Sequence, residues 1–379
     1  MSGLALLLLA QIAPPPAAAP DEIVVVGHRA EDALAACLAR GCPPAEEVEA
    51  SLQASVEQFA GGRYGVARKT LRAAIRRNRD HAAELPGPVS SLYATLATVA
   101  EHEGDRELWT ASARNNLLIL RRHLGNANLA TMTEQLTFGD TMLGIGQSHA
   151  ADDAYHTVQR LALAANQPAL AAGAALRRAV VASTRGDYRT ARRLADDAVA
   201  LARPGDQRMA DLRAMLDARI AVAKGDDGAI DALAARLRQS ADEQPRLLFS
   251  KPVFDINFVA SANPWHDSEI RFADVGYWIR PDGRTAGVEV LRDAGLGQWR
   301  SGIAKQVAER RYVPLSVAPG HPGLYRIDRF TVRATIGTPT GSRVRRRTGT
   351  LTTHIVDLTE TEALSDLHKR RAAQETTTG

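Results

Sequence analysis

Residues 183–204 read STRGDYRTARRLADDAVALARP, and the spacing within this stretch predicts the fold of most of the chain. Gly186 is followed by Tyr188, Ala191 and Ala198. The alanines are seven residues apart, so they share one face of a helix and let a neighbouring helix approach closely. Gly186 precedes this helix, at a helix junction where a left-handed backbone costs glycine least. The stretch therefore predicts two helices joined by a tight turn.

The same pattern recurs along the chain. Gly62, Tyr64, Ala67 and Ala74 repeat it, and weaker copies begin at Gly104, Gly146 and Gly225. The five glycines of these copies are 42, 42, 40 and 39 residues apart. A period near 40 residues with helical patterning predicts stacked helical hairpins.

This pattern resembles the tetratricopeptide repeat (TPR), whose second helix opens with Gly-Asp-Tyr-x2-Ala. Residues 186–198 carry the better match and residues 62–74 the other. The resemblance covers roughly residues 50 to 242, so we predict a TPR-like helical repeat domain at 50–245. It implies a surface that binds peptides or proteins, or a spacer that holds other domains apart.

Residues 275–295, VGYWIRPDGRTAGVEVLRDAG, break the helical pattern. Two β-prone runs flank Pro281-Asp282-Gly283, a sequence that favours a tight turn with glycine at positive φ. An amphipathic helix follows, with Trp299, Ile303 and Val307 on one face. Alternating residues 329–336 then predict a last strand, which gives the order β-β-α-β.

This order resembles the C-terminal domain of TonB-type energy transducers over roughly residues 265–336. The matching motifs are Pro-Asp-Gly-Arg at 281–284, Val-Glu-Val at 288–290 and Tyr-Val-Pro at 312–314. The resemblance implies a TonB-like domain at 250–358 that binds a partner by β-strand addition, with an outer-membrane TonB-dependent receptor as the expected partner. The predicted fold class is therefore α+β: an all-α TPR-like solenoid followed by a small TonB-like ββαβ domain.

The predicted partner-binding residues lie in the last strand: Arg329, Phe330, Thr331, Val332 and Arg333. We expect this strand to be an exposed sheet edge, whose unpaired backbone groups can accept another strand. In the alternative, the edge is covered by the tail strand TLTTHIVDL at 350–358.

Positive charge is concentrated in the same part of the chain. Residues 251–347 contain 16 Lys and Arg against 9 Asp and Glu, with a cluster at 343–347. An acidic protein, peptidoglycan or anionic lipid could use this charge, and a solvated basic tail is the alternative. Nucleic acid is not expected as a partner of an exported protein.

The N-terminus predicts export. Leu4–Ala13 is a ten-residue apolar run ended by prolines, and a membrane-spanning helix needs about 20 apolar residues. We therefore predict a signal peptide at 1–19 and a periplasmic location, with an inner-membrane anchor as the alternative if the signal is not cleaved.

Residues 20–49 are predicted to be an extended linker. It contains Cys37 and Cys42, the two cysteines of the chain, which we expect to form a disulfide in an oxidising compartment, with free thiols as the alternative. Its first part, DEIVVVGHR at 21–29, is β-prone and resembles a TonB box. This segment either adds to a sheet edge, its own or a partner's, or is an unstructured leader. Residues 359–379 are predicted to be a short helix and a disordered tail.

The sequence contains no Gly-x-Ser-x-Gly, His-Glu-x2-His or phosphate-loop motif. His149 and His156 share a helical face, which two surface histidines explain as well as a metal does. We therefore predict no catalytic residue, metal or cofactor. The predicted function is a non-enzymatic, exported protein-interaction protein linked to TonB-dependent transport. The alternatives are a periplasmic scaffold unrelated to transport and, less favoured, a membrane-anchored energy transducer or an envelope enzyme.

Overall fold

The structure, a computed structural model, describes residues 29–203, 205–251, 269–297, 299–338 and 341–359. The predictions for the signal peptide, for most of the β-prone segment at 21–29 and for the tail after residue 359 lie outside these ranges.

Helices make up the described chain as far as residue 236. They are α1 (Arg29–Arg40), α2 (Pro44–Ala60), α3 (Tyr64–Asn78), α4 (Pro86–Glu103), α5 (Arg106–Leu124), α6 (Leu129–Gly144), α7 (Ser148–Ala164), α8 (Pro168–Thr184), α9 (Tyr188–Leu201), α10 (Gln207–Ala223) and α11 (Ala229–Arg236), with one 3₁₀ turn at Arg79–His81. Among the helices that the structure describes, none combines the length and the apolar character needed to cross a membrane.

The helices pair into TPR-like hairpins, as the glycine period predicts. The joining turns contain the repeat glycines, whose φ angles are all positive, between 72° and 97°: Gly62, Gly104, Gly146, Gly186 and Gly225. The repeat alanines are buried between helices: Ala67, Ala74, Ala191 and Ala198. Even-numbered helices of neighbouring hairpins contact each other, α2 with α4 and α8 with α10. The predicted helical-repeat fold is therefore present.

The helical part begins earlier than predicted, because residues 29–49 are not an extended linker. They form α1 and the start of α2, since the segment is rich in alanine and in charged helix formers. Pro44 occupies the first turn of α2, where a proline needs no N–H partner. A disulfide joins Cys37 to Cys42 across the turn between these helices, and Cys37 is buried.

The last part of the described chain contains a small antiparallel sheet. Two short strands precede it, β1 (Gln239–Ser240) and β2 (Leu247–Phe249), followed by β3 (Ile270–Ile279), β4 (Thr285–Ala294), α12 (Trp299–Ala308), β5 (Arg311–Tyr312), β6 (Leu315–Ser316), β7 (Leu324–Gly337) and β8 (Arg346–Asp357). The four long strands are arranged in the order β4-β3-β7-β8. The order β-β-α-β is thus present, with β8 added.

The core of this unit lies between the sheet and α12. The predicted apolar face of α12, formed by Trp299, Ile303 and Val307, packs against Val275 and Phe330 of the sheet. The turn between β3 and β4 is tight, as predicted, with Gly283 at φ 77°. The smaller strands lead back to the helices, because Leu248 of β2 and Val313 pack against the last helical hairpin.

The prediction of an exposed edge at Arg329–Arg333 is wrong. These residues lie in β7, which pairs with β3 on one side and with β8 on the other, so their backbone groups are already engaged. The Thr-, Val- and Ile-containing β8 folds back as an antiparallel neighbour, and Phe330 faces Ile355 across the pair. The alternative, in which the tail strand covers the edge, describes the structure correctly.

The turn glycines make a test of the repeat. Gly186 has φ 80° and open space where a Cβ would lie, whereas Gly173 lies within α8 with ordinary helical backbone. Gly186→Ala is expected to lower the free energy of unfolding by about 1–2 kcal/mol, the cost of a left-handed alanine. Gly173→Ala should raise it by about 0.5–1 kcal/mol, because alanine favours a helix. Urea unfolding of both variants checks this, and equal effects would contradict the turn assignment.

Candidate functional site

Residues 329–333 lie at the contact between the sheet and helices α2 to α4. We call this contact the seam; it includes every side chain of the sheet that packs on these helices and the helical residues that face it. Alternate side chains of β7 point to opposite faces of the sheet. Phe330 and Val332 pack in the core beside α12. Arg329, Thr331 and Arg333 point the other way and contact α2 and α4. All five side chains are buried, so the structure brings these residues together in an internal contact.

Arg329 is fully buried and contacts the end of α2. Its guanidinium forms an ion pair with Asp274, with Nε–Oδ1 at 2.6 Å and Nη2–Oδ2 at 2.9 Å. It also donates to the carbonyls of Phe59 and Ala60, both at 2.8 Å. The central carbon of the guanidinium, Cζ, lies 4.3 Å from the centre of the Phe272 ring. A cation at the C-terminus of a helix is favourable, because the last carbonyls lack partners within the helix and carry negative partial charge.

Arg333 repeats this arrangement at the end of α4. Its Nε donates to the carbonyl of His102 at 2.8 Å, and its Nη2 donates to that of Glu101 at 2.7 Å. The backbone N–H of Ile336 donates to the carbonyl of Gly104 at 3.0 Å. The C-terminal ends of α2 and α4, which belong to neighbouring hairpins, are therefore both capped by arginine side chains of β7.

The basic cluster at 343–347 is partly used within the same seam. Arg345 forms an ion pair with Asp105 at 2.5 Å, and Arg347 donates to the carbonyl of Glu103. Arg343 and Arg346 are exposed. A contact of this region with an acidic or lipid surface stays a prediction, with these two arginines as the part of the cluster facing solvent.

A second site is a surface groove of about 380 Å³ between the 3₁₀ turn and loop that follow α3, helix α4 and helix α5, which we call the α3–α5 groove. Its walls combine apolar and cationic side chains: Arg79, Asp80, Ala82, Ala83, Tyr93, Asn115, Leu118, Ile119, Arg122 and His123. Leu118 is 44% exposed and lies next to the polar groups of the groove. Helix α4 supplies Tyr93, and α5 supplies the run from Asn115 to His123.

The charge of the groove is mainly positive. Asp80 is its acidic side chain, and its carboxylate lies 3.8 Å from Arg79. Within the described ranges Arg122 forms no ion pair, so its guanidinium is available to a ligand. Burial raises the pKa of the Tyr93 phenol, which stays neutral at ordinary pH. The arrangement suits an extended chain that offers an apolar side chain beside a carboxylate.

Sequence reasoning missed this groove. The segment LLILRRH at 117–123 contained a signal, because Leu118 and Ile119 fall outside the face formed by Leu117 and Leu120. Two apolar residues beyond the packed face of an amphipathic helix indicate a surface that something else covers.

The two histidines singled out in the sequence lie at the surface. His149 and His156 both lie on α7 and are exposed. No group of three metal-binding side chains is present among the residues that the structure describes.

No protein-family model and no curated protein matches the chain. The resemblance of residues 265–336 to TonB-type domains therefore stays a prediction.

Several solved helical-repeat structures are similar to about half of this chain. BtubC (BKLC) from P. vanneervenii is 16% identical, with 55% of this chain and 84% of that chain covered and a TM-score of 0.43. A putative kinesin light chain from Podosopora anserina, with nearly identical TPR-like repeats, is 13% identical, with 51% and 93% covered and a TM-score of 0.41. A Rap protein complexed with competence and sporulation factor is 13% identical, with 51% and 52% covered and a TM-score of 0.37. At these scores none of them carries an argument about what this chain binds.

Removal of the Arg329 side chain tests the seam. Arg329→Ala leaves Asp274 with Arg292 as a charged partner, and it removes one donor each from the carbonyls of Phe59 and Ala60, which keep the Gly62 N–H and Arg292. The loss is expected to be about 2–3 kcal/mol of unfolding free energy, because hydrogen bonds to a charged group contribute about 1.5–3 kcal/mol. Arg300→Ala, at an exposed arginine of α12, should change it by less than about 0.5 kcal/mol. Chemical denaturation measures both, and a loss below about 1 kcal/mol at Arg329 would show that Arg292, the Gly62 N–H and solvent cap α2 equally well without it.

Proposed function

We propose that this chain is a non-enzymatic protein-interaction scaffold whose α3–α5 groove binds a peptide segment of a partner protein. The observation that carries the proposal is the groove itself, in which exposed Leu118 and half-buried Tyr93 lie beside two arginines. A TPR-like array of hairpins supports it, because such arrays present rigid, extended surfaces.

The chemistry of the groove selects an acidic ligand. Arg79 and Arg122 can each hold a carboxylate, and Asn115 offers an amide that can bond to peptide backbone. Leu118 and Ile119 supply apolar contact area next to these polar groups. The proposed ligand is therefore an extended segment with acidic residues next to a leucine-like side chain.

Residues 329–333 were predicted to bind an outer-membrane receptor by strand addition. They have no free backbone edge, because β7 pairs with β3 and β8. We therefore propose the scaffold function without a link to TonB-dependent transport. In this proposal the C-terminal sheet closes the ends of the first hairpins, and binding takes place on the helices.

Export to the periplasm is the proposed location. The apolar run Leu4–Ala13 supports it, and the Cys37–Cys42 disulfide supports it because such bonds persist in oxidising compartments. The intact mass of the protein purified from its native cell envelope tests it. A mature chain that begins near Pro20 is expected, whereas a chain retaining Met1 would favour an anchored form.

Peptides of matched hydrophobicity test the groove. Fluorescent decapeptides with the same leucines, and with either Glu, Gln or Lys at the remaining charged positions, are titrated against the full chain. The acidic series should bind most tightly. Arg79→Glu with Arg122→Glu should weaken it roughly tenfold, because reversal of two partly exposed charges changes binding by about 1–2 kcal/mol.

The matched control reverses two exposed arginines elsewhere, Arg160→Glu on α7 and Arg208→Glu on α10, which gives the same net charge. This control should keep the affinity of the unchanged protein. Equal weakening by both double variants would mean that the peptides respond to overall charge, and the groove would lose its proposed role.

A further inference from the structure

Two histidines lie inside the seam. His102, near the end of α4, is fully buried, and its Nε2 is 2.7 Å from the Thr331 hydroxyl oxygen. Its ring lies 4.5 Å from the centre of Tyr64 and 5.3 Å from that of His354 on β8. Within the described residues the Nδ1 of His102 has no hydrogen-bond partner. In the protonated ring both nitrogens carry a proton, so the Nδ1 N–H would be buried without an acceptor.

The charged groups around this pair come from α3, α4, β3, β7 and β8, whereas α2 faces the pair with the apolar ring of Phe59. The cations are Arg329 and Arg333 on β7, Arg347 on β8 and Arg68 on α3; the acidic groups are Glu101 and Glu103 on α4 and Asp274 on β3, and the phenol of Tyr64 on α3 also faces the site. The carboxylates have partners of their own: Glu103 pairs with Arg68 at 2.8 Å, and Asp274 pairs with Arg329. Glu101 faces His354, with 3.8 Å between Oε1 and Nδ1.

The titration of these groups follows from their burial. Burial, followed by His354 and the nearby arginines, holds the pKa of His102 well below its usual value. Burial and Arg333 lower the pKa of His354 to about 4. Burial raises the pKa of Glu101 and that of Glu103.

The sign of the effect is set by the histidines. When the sheet leaves the helices, both rings reach water and bind protons near pH 6.5, whereas in the seam they stay neutral to a lower pH. Contact between sheet and helices therefore weakens as the pH falls from about 6.5 towards 4. Glu101 and Glu103 act in the opposite direction, because the seam favours their neutral forms, and they reduce the effect.

We propose that the sheet β4-β3-β7-β8 is an acid-released latch on helices α2 and α4, in which His102 and His354 sense the proton. This device is separate from the peptide-binding function proposed above. Protonation would place one or two further positive charges beside Arg329, Arg333 and Arg347, which are held at the helix ends by directional hydrogen bonds.

The sheet has a core of its own beside α12, and most buried residues of the cluster that it shares with the helical side belong to α2, α3 and α4, so release differs from unfolding. The sheet packs on α12 in one apolar cluster, and α6 to α10 form others. The sheet side contributes Phe272, Ile327 and Leu358 to the shared cluster, and five partly buried sheet residues pack against it: Ile270, Leu291, Ala294, Tyr325 and Val356. The sheet also stays attached to the last hairpin through Leu248 and Val313.

Small-angle scattering with far-UV circular dichroism tests the latch on the full chain between pH 7.5 and 4. The maximum dimension should increase between about pH 6.5 and 4, while the helical signal is retained. At pH 5 His354 alone should shift the docking equilibrium by about 30-fold, from a pKa of 6.5 when released and about 4 when docked.

The sensor variant is His102→Gln with His354→Gln, in which the amides replace the ring nitrogens without titrating. This variant should stay compact at least about one pH unit lower than the unchanged protein. The control is His149→Gln with His156→Gln, which removes two exposed histidines of α7 and should open at the unchanged pH. If the double sensor variant is already open at pH 7.5, His354→Gln alone is used, because that side chain is 18% exposed.

The proposal is overturned by any of three results. The unchanged protein could keep its dimensions down to pH 4, its expansion could coincide with loss of the helical signal, or the sensor variant could open at the same pH as the control. None of these results bears on peptide binding in the α3–α5 groove, which is measured at neutral pH.

Discussion

The structure depends on arginine side chains that cap the ends of helices from across the chain. Burial of a guanidinium costs several kcal/mol unless each of its donors finds an acceptor. Arg329 meets this condition, because Asp274 supplies its charge partner, and the last two carbonyls of α2 and the Tyr64 hydroxyl accept its remaining N–H groups. Each of these carbonyls also has a second donor, because Ala60 accepts from Nη2 of Arg292 at 2.6 Å and Phe59 accepts from the backbone N–H of Gly62 at 2.9 Å. Arg329 and Arg292 together therefore join the sheet to the end of α2.

This contact also explains why the turn after α2 needs glycine for two reasons, whereas the turn before α9 needs it for one. Gly62 and Gly186 have nearly the same φ, 79° and 80°. A Cβ on Gly186 would meet nothing within 4 Å, whereas one on Gly62 would lie 2.8 Å from the Phe272 ring. The positive φ of the repeat turn favours glycine at both positions. At Gly62 glycine is also required because a side chain there would clash with the Phe272 ring.

The elements that the sequence predicted correctly are those set by neighbours along the chain. The hairpins, the β3–β4 turn and the buried face of α12 were predictable, because each depends on a few local residues. These are a glycine at positive φ, two alanines seven residues apart, a Pro-Asp-Gly turn and apolar residues at helical spacing. The place of β7 was not predictable. Arg and Thr alternate with Phe and Val along β7. This pattern fits a strand whose polar face is exposed to solvent, and it fits equally a strand whose polar face contacts helix ends. Two acceptors of Arg329 are the backbone carbonyls of Phe59 and Ala60, 270 and 269 residues away, and no residue type marks them.

The two sites meet on one helix. Tyr93 faces the α3–α5 groove and His102 lies in the seam, and both belong to α4. Nine residues of helix separate them, roughly 13 Å along the axis. A ligand in the groove and the sheet at the seam therefore both act on the position of α4. Any coupling between them must be carried by this helix, and it requires that α4 have two arrangements that the ligand and the sheet stabilise unequally.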